Sequence, residues 1–537
     1  MTTRTLLLPL ISTAALALVV ACSSEPEGAP SPAPDAGDQP DPGSSSGDTG
    51  TPPRRDGGTR PDSGGGGDDD DAASATLLVR GEISLVGMTT NDHAIYIRPT
   101  TEGRALEAVN LADRSISTIW AGLPSNAQVD VKGNVVAIWT GLDPATHLGS
   151  FSYWTPGKPT RRNVAEGSVR DSFWATTDGS LLAFQANALL TEEGVPVSAE
   201  LALVSTASGT LTTVLAGDER IAIDAASCGS SIGFAGKTLV VAYCRSGDDS
   251  ARLVTVPNVG APARRVLVDG GLRPSWRADG GGSKIFVIAQ ADDEGRVVTD
   301  DGTDPAPVTP IEAGVKEAFM LRDGSAVVYR TAIALRRATL GTTPIAPVTI
   351  ATGEARGILD VSADQTRILY HALEGTPVDA QTPDGERYYD LRTIATNAID
   401  GTADVLVDTE RALHLGLTGD GAHALYISKA PRLVSVATDG SGERSLPLDF
   451  SRVDLALSGA HAILTVNSRQ LGTRAVTDLV HVDFSRSGTE AGSPATKTIA
   501  ESVGSGGYRF AITSKKSLVY ARFPQNGTAG LYRSELP

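Results

Sequence analysis

From Thr76 onward the chain repeats one pattern, a polar turn rich in Asp, Gly and Ser followed by a short apolar run. The units read, in order, TNDHAIYI, VKGNVVAIW, TTDGSLLAF, FAGKTLVVAY, ADGGGSKIFVI, LRDGSAVVY, SADQTRILY, TGDGAHALY, LSGAHAILTV and ITSKKSLVY. Apolar runs of this length bounded by turn formers predict β-strands. Each unit continues alike. A third strand follows, as in ELALVSTASG or RLVSVATDGSG, where alternation suits a sheet and the closing Gly suits a hairpin. A fourth carries Val, Leu or Ile, as in LTTVLAG, and the next stretch, as in VRDSFWAT, opens the following unit. Ten copies over about 460 residues give a spacing near 46, the length a four-stranded antiparallel propeller blade requires.

The repeats resemble the TolB-like or PD40 (WD40-like) propeller family, whose blades carry a Ser-Pro-Asp-Gly turn before an apolar strand. Asp178-Gly179, Asp323-Gly324 and Asp420-Gly421 come nearest, and no copy has all four letters. The resemblance implies an all-β fold over residues 76–537, a β-propeller of about ten four-stranded blades. One large ring, two smaller rings or a miscounted inserted hairpin all fit the spacing. The last copy stops at its third strand, GLYRSELP, while a spare strand, ATLLVR (Ala75–Arg80), precedes the first. That strand is expected to complete the last blade and close the ring, because an open end leaves a sheet edge unpaired.

The start of the chain has a different pattern. Arg4 precedes an apolar run from Leu6 to Val20, too short to span a bilayer and suited to a signal sequence. It ends in Val19-Val20-Ala21-Cys22, which resembles the lipobox of bacterial lipoproteins. The resemblance implies a signal peptide over residues 1–21, acylation of Cys22, and a stable membrane anchor through two or three acyl chains. Ser23 and Ser24 follow in place of an Asp, which favours the outer over the inner membrane; the periplasmic and the exposed side both stay open. Residues 22–75 hold the anchor Cys and a disordered Pro/Gly/Ser/Asp-rich linker without apolar periodicity.

The formal net charge of −17 has the wrong sign for nucleic acid. Residues 23–75 contribute twelve Asp/Glu against three Arg, so the linker carries about half of that charge and the repeat domain is only mildly acidic. The run Asp68–Asp71 lacks the alternating ligands of a calcium loop and reads as a solvated charge run. Cys228 and Cys244 are the only thiols after Cys22; they flank one predicted hairpin and are expected to pair in an oxidising compartment.

Gly229-Ser230-Ser231-Ile232-Gly233 matches the G-x-S-x-G nucleophile elbow in letters, but no helix pattern follows, so Ser231 reads as part of a turn. His93, His423 and His461 occupy one position in three repeats, which puts them on different blades. Asp300-Asp301-Gly302-Thr303-Asp304 is an acidic loop for which a hairpin tip and a calcium site both fit. No catalytic residue, metal site or cofactor is expected. The functional expectation is a membrane-anchored, noncatalytic binding or scaffolding module of the cell envelope for a protein, peptide or glycan. The alternative is a propeller enzyme, a lyase or glycosidase.

Overall fold

In the computed structural model the described residues are 75–536, except 224–227, 258–263, 343–344, 374–389, 400–403, 409–412, 419–420, 429–431, 448–455, 459–460, 489–491, 505–509, 514–516 and 526. Cys22 and its linker therefore lie outside them, as does Asp420. Strands dominate, and among the described residues the helical content is a single 3-10 turn at Gly217–Glu219. The strands form ten four-stranded antiparallel blades in chain order. Blade 1 is typical, running from Ser84–Met88 inside through His93–Thr100 and Gly103–Asn110 to Ile116–Trp120 outside. Blades 4 and 5 share the long strand Arg265–Ala278, which is the outer strand of blade 4 in its first half and the inner strand of blade 5 in its second.

The blades make one ring. A distinct apolar cluster lies between each successive pair, and a tenth joins blade 10 to blade 1. In that last cluster Ile83, Leu85, Tyr96 and Val109 of blade 1 meet Val519 and Leu531 of blade 10. The spare strand Ala75–Arg80 pairs antiparallel with Gly530–Glu535, from Ala75 opposite Ser534 to Arg80 opposite Gly530. It supplies the fourth strand of blade 10, so the N-terminal end of the folded region closes the C-terminal blade. The alternative of two smaller rings does not hold. With two rings, some cluster would join blades that are neither neighbours in sequence nor first and last.

A tyrosine layer recurs within the packing. The fourth residue of the second strand is Tyr in blades 1, 6, 7, 8 and 10 (Tyr96, Tyr329, Tyr370, Tyr426 and Tyr520). Each ring packs toward the preceding blade. Tyr243 of blade 4 does the same. A buried phenol needs a hydrogen-bond partner. Tyr243 donates to Glu219 and Tyr329 to Glu312, both acids from the end of the preceding blade, and Tyr370 donates to Asp404. Burial, reinforced by the neighbouring acid, pushes the Tyr243 and Tyr329 hydroxyls well above their usual range.

The turns between first and second strands explain the Asp-Gly signature. Asp178 accepts bonds from the Thr176 hydroxyl and from the Ser180 N–H and hydroxyl. The Ser180 N–H, then the Thr176 hydroxyl, hold its carboxyl far below the usual range. Gly179 follows at φ 68°, where a Cβ would stand 2.6 Å from Asn134 in the corresponding turn of the preceding blade. A Thr at the end of the third strand then clamps the turn from behind: Thr206 donates to Gly179 O, Thr396 to Gln365 O and Thr438 to Gly421 O.

Candidate functional site

The inner strands have one paired edge, so their other edge presents backbone groups to the channel, and such groups need partners. Side chains of adjacent blades supply several. Lys132 Nζ donates to Phe173 O at 2.8 Å and Trp276 Nε1 to Ser231 O at 2.9 Å. The Ile358 N–H donates to Glu317 at 3.0 Å and the Leu417 N–H to Asp360 at 2.7 Å. The last contact requires a residue without a side chain at Gly416, where a Cβ would come 2.6 Å from the Asp360 carboxylate. These polar side chains of the channel wall are thus engaged in joining blades.

The residues singled out from the sequence fall at separate places. Ser231 sits in the strand Ser230–Ala235, the inner strand of blade 4, paired throughout with Thr238–Tyr243. This is a strand in a sheet, with no strand-to-helix turn to expose a nucleophile. Cys228 and Cys244 have Cα atoms 5.9 Å apart and their sulfurs meet; that separation lies within the range a disulfide spans. His93, His423 and His461 each begin the second strand of their blade, in blades 1, 8 and 9. The acidic loop at 300–304 is occupied by its own bonds. Asp300, with a side chain 4% exposed, pairs with Arg265 and accepts from Thr255 at 2.7 Å, while Asp301 accepts from the Thr303 N–H and hydroxyl. Among the described residues no cluster of His, Cys, Asp or Glu is arranged to hold a metal ion.

Two features were not singled out from the sequence. In blade 9, His461 stacks on His481 at 5.1 Å between ring centroids, with 3.2 Å between His481 Nε2 and His461 Nδ1. Asp483 lies 3.7 Å from His461. Burial, and next the neighbouring His461, lower the pKa of His481.

The second feature is a cleft of about 420 Å³ at the outer half of the interface between blades 1 and 2. Nearer the axis this interface is filled by Val86, Ile95, Leu106, Val136, Ile138 and Trp154. Farther out, blade 2 presents Thr140, Ser150 and Ser152, and the apolar filling gives way to an opening. Trp120 ends the outer strand of blade 1, and Arg161, Asn163 and Glu166 come from the outer edge of blade 2.

The cleft wall is internally bonded. The Arg161 guanidinium lies over the Trp120 ring, 3.3 Å from its centroid. Arg161 Nη1 donates to Asn163 Oδ1 and, at 3.3 Å, to Ser152 Oγ. Ser152 donates to Asn163 at 2.8 Å, and Ser150 donates to Glu166. Burial lowers the pKa of Arg161, and no described carboxylate pairs with it. Other partly buried arginines meet acceptors of two kinds: Arg252, Arg265, Arg336 and Arg469 pair with carboxylates, whereas Arg432 bonds the Ser445 hydroxyl and Arg444 the Phe484 carbonyl. A Trp at the end of a fourth strand was the one sequence signal for this site. Its partner is 41 residues away on another blade, a relation that no local pattern encodes.

No known family profile matches the chain, and no curated protein matches it. Solved structures similar to it include a prolyl endopeptidase, at 14% identity and a TM-score of 0.36, covering 67% of this chain and 53% of that one. The chain thus spans about half the length of that protein. A eukaryotic initiation factor is 10% identical with a TM-score of 0.44, over 78% of this chain and 97% of that one. TolB from Acinetobacter baumannii is 12% identical with a TM-score of 0.23, over 61% and 64%. At these values none of them assigns this chain an activity; the propeller is established by the strand pairings and the ten inter-blade clusters described above.

Proposed function

We propose that this chain is a lipoprotein of the bacterial cell envelope, anchored through Cys22, whose propeller is a noncatalytic binding module for a protein, peptide or glycan. The lipobox-like Val19–Cys22 supports the anchor, and Ser23-Ser24 favours the outer membrane. The linker, as a flexible chain, reaches roughly 40 Å, so a rigid ring would search a zone near the membrane surface while remaining attached.

The observation that carries the binding reading is the cleft between blades 1 and 2. Its size, about 420 Å³, is that of a ligand site, and its polar side chains are held in place by bonds to one another. A glycosidase needs two carboxyl groups roughly 5–10 Å apart. The cleft is lined by one, Glu166, and its charged counterpart is an arginine. That set suits recognition better than bond cleavage.

Replacing Cys22 with Ala tests the anchor. The variant should lose metabolic acyl labelling and leave the membrane fraction. Unchanged labelling and retention would refute the lipid attachment. A ligand recovered chemically altered after incubation with the wild-type domain would refute the noncatalytic reading.

A further inference from the structure

We propose that the cleft between blades 1 and 2 binds a sugar acid, a hydroxylated ring bearing one carboxylate, with the Arg161 guanidinium holding the carboxylate. This rests on the reading of the propeller as a binding module and names the ligand class.

Arg161 is only partly committed within the chain. One face of its guanidinium is covered by the Trp120 ring, and Nη1 is committed to Asn163 and Ser152. Nε and Nη2 have no partner among the described residues and neither is a buried unsatisfied atom, so that edge is accessible, on a residue that lines the cleft. Nε and Nη2 together form the two-pronged edge that carboxylates accept in plane. The same molecule shows the arrangement when an acid is at hand: Arg98 Nε and Nη2 bond Glu107 Oε2 and Oε1 at 2.7 and 2.9 Å. At Arg161 the fork is held by stacking and by Asn163, and no acid pairs with it among the described residues. A stacked, partly desolvated guanidinium costs little further ordering when a carboxylate arrives.

The rest of the lining selects what carries that carboxylate. Thr140, Ser150, Ser152 and Asn163 offer hydroxyl and amide groups, and Glu166 is an acceptor for hydroxyl donors. Glu166 also repels a second carboxylate, which disfavours polyacidic peptides. One carboxylate beside several hydroxyls is the chemistry of a uronic acid.

The test is calorimetric titration of the full-length chain in detergent micelles with sodium glucuronate, glucose and a glutamate-terminated tripeptide. Glucuronate should bind, with glucose at least about 10-fold weaker, since charge-assisted forked bonds are the strong ones. Arg161→Gln should weaken glucuronate by about 10-fold or more and leave glucose unchanged. Arg161→Lys keeps the charge and stem without the fork, and should recover only part of the loss. Melting midpoints within about 2 °C of wild type certify that the variants are folded.

Absence of glucuronate binding, equal binding of glucose, an Arg161→Gln variant that binds as well as wild type, or tighter binding of the tripeptide would each overturn the inference. If the chain instead takes a neutral glycan or a peptide from an array and Arg161→Gln takes it equally well, the cleft inference fails while the binding-module reading survives.

Discussion

Leu85 and Leu531 lie near opposite ends of the folded chain, yet both are buried in the cluster that joins blade 1 to blade 10, at 2% and 0% exposure. Each truncation to Ala removes a buried isobutyl group and should cost about 3 kcal/mol, inside the range of roughly 2–5 for buried Leu→Ala changes. If the ring is closed, the second truncation enlarges a cavity that the first already opened. The double variant should then lose about 5 kcal/mol rather than about 6, a coupling near 1 kcal/mol. A control pair, Leu85→Ala with Leu335→Ala, uses a fully buried leucine of the cluster between blades 6 and 7. These sites share no neighbours, so their effects should add within about 0.5 kcal/mol. Equilibrium urea unfolding of residues 23–537, followed by near-ultraviolet circular dichroism under reversible conditions, supplies all the values. Additivity for Leu85 and Leu531 matching the control pair would refute the claim that first and last blades share one core.

Three further outcomes follow from particular residues. Thiol titration of the denatured chain lacking residues 1–22 should find no free Cys before reduction and two after. Cys228→Ser should cost about 3 kcal/mol for a loop of this size, and two titratable thiols without reductant would contradict the pairing. Asp300→Asn should destabilise by about 3–5 kcal/mol, because it leaves Arg265 charged without its buried partner. Added calcium should leave the wild-type melting midpoint unchanged, and a calcium-dependent rise would restore the metal reading of that loop. His481, lowered by burial and by His461, stays neutral in the folded state below the pH at which the unfolded chain protonates it. Its contribution is therefore intact above about pH 6.5 and is lost as pH falls further. Wild-type stability should drop more steeply from pH 7 to 5 than that of His481→Gln, and parallel curves would refute the assignment.

Much of the architecture was legible because its causes are local. Asp178-Gly179-Ser180 and its counterparts announce turns, because an Asx carboxylate and a glycine at positive φ serve that geometry wherever they occur. The apolar run after each turn marks the second strand, and the spare strand Ala75–Arg80 was readable as the missing fourth strand of an incomplete last copy. The recurrent Tyr, as at Tyr329 and Tyr370, was also in plain view, although its meaning depended on seeing an acid from another strand reach its hydroxyl.

The sequence by itself determined the repeat unit, its four-strand content and the strand available to seal the ring, since turn chemistry and strand periodicity act over a few residues. Only the tertiary structure decided that ten blades form one ring, and that Trp120 meets Arg161 while His461 meets His481. The ring size depends on the angle at which neighbouring sheets pack, which the volumes of side chains from two blades set together. The contacts depend on registers between strands that the turns join but do not align. Both are properties of pairs of segments, and a linear pattern carries information about one segment at a time.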